Sequence, residues 1–205
     1  ATALLLTTHV FAEVIPASDS RVVYVGRTQV EGTAVSFDWT ATYFRIAFSG
    51  KSLTMRASYT KKNYYNVWIN SPTSAAPHRI IEVAGNDTVI ELIDPMYLKK
   101  SRRAVHEVIV QKRTEGEQGK TTIHEFATDK RGKFFQAEPL KVRQLEFIGD
   151  SYTCGYGIDA KSRLERFSPE TENASRSYAG IVSRYFGADY VAIAHSGMGI
   201  ARNYN

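Results

Sequence analysis

From Arg21 to about Gln136 the chain is a succession of short runs in which large apolar residues fall at every second place. Tyr43 to Phe48 and Leu53 to Ala57 are the clearest, and Ser49-Gly50-Lys51-Ser52 between them reads as a hairpin turn. Side chains alternate faces along a strand, so this period of two describes strands with one face inward. Further runs are Arg21 to Val25, Ala34 to Trp39, Tyr64 to Ile69, Arg79 to Val83, Thr88 to Ile93, Ala104 to Lys112, Thr121 to Phe126 and Lys133 to Gln136. They recur at roughly 8–12 residue intervals with Gly, Asn, Asp and Pro turns between them, the pattern of a sandwich or barrel. No helical period competes over this span. Residues 20–136 are expected to form a jelly-roll-like β-sandwich.

The pattern changes at Ala137-Glu138-Pro139-Leu140, so residues 137–141 read as a linker. Beyond it, residues 142–148 end in the short, largely apolar run Leu145 to Ile148, read as a buried strand, and Gly149-Asp150-Ser151 breaks that run. Ser175 to Phe186 has helical spacing: Ser175 or Ser177 can cap it, and Tyr178, Ile181, Val182 and Tyr185 share a face. Gly187 ends it, and Tyr190 to Ala194 makes a second buried strand. Strand, helix and strand form a βαβ unit, which requires parallel pairing and brings both strand ends to one edge. Ser196-Gly197-Met198-Gly199 would then lie beside Ser151.

Ser151 follows a strand end, where open α/β sheets bind ligands. A serine hydroxyl becomes a nucleophile only when a base takes its proton. Serine also commonly caps helices, which is the bland reading of Gly-Asp-Ser alone. Attack on an ester places negative charge on the carbonyl oxygen, and backbone N–H groups aimed there lower the barrier. The motif is not the Gly-x-Ser-x-Gly elbow: Gly149 lies two residues before Ser151, but Thr153 stands two residues after it where the elbow needs its second glycine.

Gly149-Asp150-Ser151-Tyr152-Thr153-Cys154-Gly155-Tyr156-Gly157 after an apolar strand resembles the first block of the SGNH (GDSL-type) hydrolases. More narrowly it is similar to the carbohydrate esterase family 2 branch, which removes acetyl groups from plant polysaccharides. Tyr152 stands where that branch usually has an aliphatic residue. Ser196 to Tyr204 resembles the second block, and in the sandwich Tyr24 to Arg27, Phe48 to Leu53 and Tyr64 to Ile69 resemble the same family. The resemblance implies a sandwich followed by the start of an α/β, flavodoxin-like parallel-sheet domain at 142–205. It implies Ser151 as nucleophile, and the N–H groups of Ser151 and Gly197 as oxyanion donors, with Gly199 as the fallback. The base would be a histidine beyond Asn205, often with an Asp two or three residues before it. The chain then reads as a fragment, inactive by itself. Other readings are a sugar-binding sandwich, with Trp39, Tyr59, Tyr64, Tyr65 and Trp68 as stacking candidates, or a GDSL-type lipase or esterase on non-sugar esters.

The remaining signals mostly exclude. A net charge of +5 comes from scattered residues, apart from Lys61-Lys62 and Lys99 to Arg103, which read as solvated loops. No basic face interleaved with aromatics suggests nucleic acid. No apolar stretch is long enough to span a bilayer. The single cysteine, Cys154, precludes an internal disulfide and reads as packing. No His, Cys, Asp or Glu group has metal-ligand spacing, and no cofactor is expected. Gly116-Glu117-Gln118-Gly119-Lys120-Thr121 resembles a P-loop, but Thr114 occupies its first glycine position and the segment lies between strands. Among the histidines His195 is the one rival base; His9, His78, His106 and His124 belong elsewhere. Ala1 to Ala12 reads as the tail of a signal peptide, giving a secreted or periplasmic monomer acting on an acetylated polysaccharide.

Overall fold

A computed structural model of the chain describes residues 12–204. All but Ala12 of the leader-like run lies outside the described residues. The strands in order are β1 (Val14–Pro16), β2 (Val23–Val25), β3 (Gln29–Glu31), β4 (Ala34–Phe37), β5 (Tyr43–Ser49), β6 (Leu53–Tyr59), β7 (Asn63–Ile69), β8 (Arg79–Val83), β9 (Thr88–Glu91), β10 (His106–Lys112), β11 (Thr121–Thr128), β12 (Lys133–Phe135), β13 (Gln144–Gly149) and β14 (Asp189–Ala194). The helices are α1 (Pro95–Lys100), α2 (Ser151–Cys154) and α3 (Tyr178–Tyr185).

Twelve strands form two six-stranded antiparallel sheets. One has the order β3-β4-β11-β6-β9 with β1 also on β11; the other runs β12-β5-β10-β7-β8 with β2 also on β5. Alternate residues of both sheets meet in one core. Phe44, Ile46, Phe48, Val67, Val108 and Val110 face Val35, Leu53, Met55, Ala57, Ile123 and Phe126.

The second sheet is buried on both faces, so every residue of β7 and six of seven in β5 are buried. Its outer face carries Tyr43, Arg45, Asn66 and Gln111, and residues 155–190 cover it. Tyr43 Oη donates to Asp189 Oδ1 at 2.7 Å, Asn66 Nδ2 to Asn173 Oδ1 at 2.9 Å, and Gln111 Nε2 to the Tyr190 hydroxyl at 3.1 Å. A smaller apolar cluster of Val25, Ala41, Tyr43, Ala174, Ala179, Tyr190 and Ala192 fills the gaps.

The expected start of a flavodoxin-like α/β domain at 142–205 is not what forms. The described residues hold one parallel pair, β13 with β14, and short helices against a predominantly antiparallel structure. The β13 strand is also not buried: Leu145 and Phe147 pack inward, while Ile148 on the other face is 78% exposed. Helix α3 turns the opposite way from its apolar spacing. Ala179, Gly180 and Ser183 are buried, whereas Tyr178, Ile181 and Tyr185 face out. Close approach decides the orientation, since a Cβ on Gly180 would lie 2.4 Å from the Ser175 carbonyl oxygen.

Helix α1 also corrects the sequence reading, which placed no helix before residue 137. Asp94 Oδ1 accepts the Met96 N–H at 2.8 Å, and Pro95 begins the helix, a standard start signal. Lys99 and Lys100 are its last turn rather than a loop, where cations suit the helix carbonyls.

Candidate active site

Ser151, at the start of α2, and Gly197, in the loop after β14, follow the same edge of the β13–β14 pair. The parallel register aligns Gly149 with Ala194, and the His195 N–H donates to the Gly149 carbonyl at 3.3 Å. Asp150, not Ser151, caps α2: its Oδ1 accepts the Tyr152 N–H at 3.0 Å. Ser151 is therefore the first helical residue, half-buried, and its hydroxyl is not consumed in capping. Gly149 has to be small, because an added Cβ would meet Thr153 Oγ1 at 2.1 Å, and Thr153 is bonded to the Tyr178 hydroxyl at 2.7 Å. Gly155 ends α2 at φ +73°, with the Asn173 backbone pressed against it.

Gly197 has φ +80°, a conformation that favours glycine, and the Tyr204 N–H donates to its carbonyl at 2.7 Å. The fallback Gly199 is turned elsewhere, with its N–H 3.3 Å from Asn203 Oδ1. Tyr152, the departure from the family pattern, is exposed beside Ser151.

His195 does not reach Ser151 as a base. Its Nδ1 lies 2.8 Å from the Ser196 carbonyl, and its Nε2 lies 3.5 Å from Glu117 Oε1. In the sandwich His106 bonds Asn70, His124 bonds Ser58, and His78 packs on Tyr97. Among the described residues no histidine is hydrogen-bonded to Ser151; His9 lies outside them.

Sequence reasoning missed the charged layer behind the two loops. Lys112, the last residue of β10, and Arg113, Thr114 and Glu115 after it are four fully or nearly buried polar residues. Arg113 donates to Asp159 Oδ2 at 2.7 Å and to the carbonyls of Glu170 and Glu172. Asp159 also pairs with Arg176 and accepts from Asn173 at 2.8 Å. These bonds order the irregular stretch from Gly155 to Asn173. Lys112 Nζ donates to the Thr114 and Glu115 carbonyls at 2.6 and 2.9 Å. Burial draws its pKa down to about 7 against the pull of Glu172, Asp38, Cys154 and Glu115.

Glu115, Cys154 and Glu172 bring their ligand atoms within 4.8 Å of one another, all buried. This is the one grouping among the described residues whose spacing suits a metal, and the sequence showed no sign of it. The Lys112 amine already lies beside it, on the Glu115 carbonyl. Burial and the adjacent Glu115 push Glu172 up to about 8, so at neutral pH it holds a proton. Burial, then Glu115 and Glu172, also pushes the Cys154 thiol up, which leaves it a packing group rather than a nucleophile.

The stacking candidates are mostly interior. Tyr59, Tyr64, Tyr65 and Trp68 are buried and Trp39 half-buried; Trp68 Nε1 donates to the Ala75 carbonyl at 3.0 Å. No helix among the described residues is long and apolar enough to cross a membrane.

Residues 24–137 match the family model described as Carbohydrate esterase 2 N-terminal. An acetylxylan esterase / glucomannan deacetylase of Cellvibrio japonicus is 33% identical over 187 residues, 88% of this chain and 48% of the relative. The cellulase/esterase CelE of Acetivibrio thermocellus is 30% identical over 165 residues, 78% of this chain and 20% of that protein. The chain thus spans about half the length of the first relative and a fifth of the second. A family two carbohydrate esterase from Clostridium thermocellum, solved in complex with cellohexaose, superposes with a TM-score of 0.81 at 26% identity, over 90% of this chain and 54% of that one.

Proposed function

The chain belongs to the carbohydrate esterase 2 family, and from that premise we propose that it carries the nucleophile of an SGNH-type serine esterase that removes acetyl groups from plant polysaccharides of the xylan or mannan kind. Ser151 attacks the acetyl carbonyl, and the N–H groups of Ser151 and Gly197 hold the oxyanion. A histidine beyond Asn205 takes the serine proton and later returns it to the leaving sugar hydroxyl. Water then releases acetate from the acyl-enzyme. The protein works outside the cytoplasm, where its polymeric substrate is found, and acts as a monomer.

One observation carries the reading. Asp150 takes the capping role, which leaves the Ser151 hydroxyl free at the edge where paired β14 delivers Gly197. The sugar-binding alternative loses support from the burial of four of its five stacking aromatics.

Ser151→Ala, in the chain extended to include its base, should abolish acetate release from acetylated xylan and from 4-nitrophenyl acetate, a loss of roughly 10⁴-fold or more. Retained turnover would refute the nucleophile assignment. Equal activity on acetylated polysaccharides and long-chain acyl esters would instead favour a lipase-like enzyme.

A further inference from the structure

One carboxylate oxygen is shared by the two loops that bear Ser151 and Gly197. Glu115 Oε2 accepts the Ser196 N–H at 2.6 Å, one residue before Gly197. The same oxygen accepts the Cys154 thiol at 3.7 Å, three residues after Ser151. Glu115 belongs to neither loop; it lies in the sandwich connection between β10 and β11, one residue before the P-loop-like Gly116 to Thr121. That turn also sends Glu117 to His195.

The arrangement is more than a chance surface contact. Glu115 is fully buried, and Lys112 fixes its backbone by donating to its carbonyl. Glu115 Oε1 and both Glu172 oxygens have no hydrogen-bond partner among the described residues. Burying such groups is costly, and apolar side chains of similar size commonly serve packing as well or better. Stability alone therefore gives little reason for the carboxylate. The bond to the Ser196 amide does give one, because a charge-assisted bond is short, strong and directional. It fixes the His195–Ser196 peptide, one unit before the peptide that carries the Gly197 N–H, and the carbonyl of that next peptide lies 2.8 Å from His195 Nδ1.

We infer that Glu115 is a positioning residue: from the sandwich it sets the direction of the Gly197 amide relative to Ser151, so that the oxyanion donors are in place before the substrate arrives. This rests on the assignment of Ser151 and Gly197 proposed above. Misplacement of a reacting geometry by about 1 Å can cost on the order of 10²-fold in rate.

The test has two arms. In the chain as given, amide hydrogen exchange at Ser196 is followed by NMR in wild type, Glu115→Ala and Glu115→Gln. In the chain extended to its base, kcat and KM for 4-nitrophenyl acetate are measured for the same variants. Faster Ser196 exchange in Glu115→Ala, a kcat lower by roughly 10²-fold with KM within twofold, and partial rescue by Glu115→Gln are expected, since the carboxamide keeps an acceptor oxygen. Unchanged Ser196 exchange in folded Glu115→Ala would overturn the inference. So would faster exchange with kcat intact, which makes Glu115 a strut only. If Glu115→Ala does not fold, Glu115→Gln decides: its Ser196 amide should resonate upfield of wild type and exchange faster, and an unmoved amide overturns the proposal. Undiminished activity in Ser151→Ala would refute the nucleophile assignment instead, a result the exchange arm does not produce.

Discussion

Arg45 and Asp189 form an ion pair whose side chains are 4% and 1% exposed, and it ties the outer face of β5 to the first residue of β14. Arg45 Nη1 adds a second bond at 3.2 Å, and Asp189 also accepts from Tyr43 and from the Lys141 N–H at 2.8 Å. Burial alone would raise the Asp189 pKa, but the bonds from Arg45, the Lys141 amide and Tyr43 outweigh it and hold the carboxyl low. Removing one partner leaves the other charge buried and uncompensated. Arg45→Met should lower the stability to urea by about 3–5 kcal/mol, and Arg45→Met with Asp189→Leu by clearly less. Equal losses in the single and double variants would show that the pair is not coupled.

Two glycines near Ser151 separate backbone strain from steric conflict. Gly155→Ala places a methyl 2.4 Å from the Asn173 carbonyl oxygen at φ +73°. Asn173 cannot easily yield, because its side chain bonds Asn66 and Asp159. Gly157→Ala meets nothing within 4 Å at φ +66°, so it bears strain alone. Urea midpoints should show a loss of about 1 kcal/mol for Gly157→Ala and at least about 2 kcal/mol more for Gly155→Ala. Matching losses would mean that the Asn173 segment gives way.

Glu172 makes stability depend on pH. Its pKa is about 8 in the folded chain against an ordinary 4.5. Between those values the folded state keeps a proton that the unfolded state has lost, so stability falls as pH rises from 4.5 to 8. Lys112 acts oppositely: its penalty is absent above its ordinary 10.5 and grows as pH falls towards about 7. The wild type should therefore be more stable at pH 5 than at pH 8, by on the order of a few kcal/mol. Glu172→Gln should lose most of that difference in urea titrations at the two pH values. An undiminished difference in the variant would assign the effect to other groups.

The strands that the sequence shows most plainly are those whose two faces differ. In Arg79–Val83 the last three residues follow the alternation, with Ile81 and Val83 buried and Glu82 exposed, and the element has the limits its pattern implies. In Tyr178 to Tyr185 the spacing identifies the helix but not its orientation, because close packing at Gly180 outweighs apolar area. The run Leu145 to Ile148 reads as doubly covered, yet only one face is. The six residues of α1 are too few to show a period, and only Asp94-Pro95 marks its start. Nothing near Glu115 in sequence marks its role, since the groups that meet it, Cys154, Glu172 and Ser196, lie 39 to 81 positions further on. The one local hint is the unbroken polar run Gln111 to Glu115, which carries the end of β10 onward without an apolar residue.

The double burial of the second sheet has a consequence for how such proteins can be recombined. A break within residues 137–141 would separate Arg45 from Asp189, Arg113 from Asp159, and Glu115 from Ser196. Each half would then carry desolvated charges fitted to a surface that its new neighbour lacks. Despite its linker-like sequence, that stretch is a poor point for exchange, and the sandwich and the serine-bearing segment are inherited most readily as one piece.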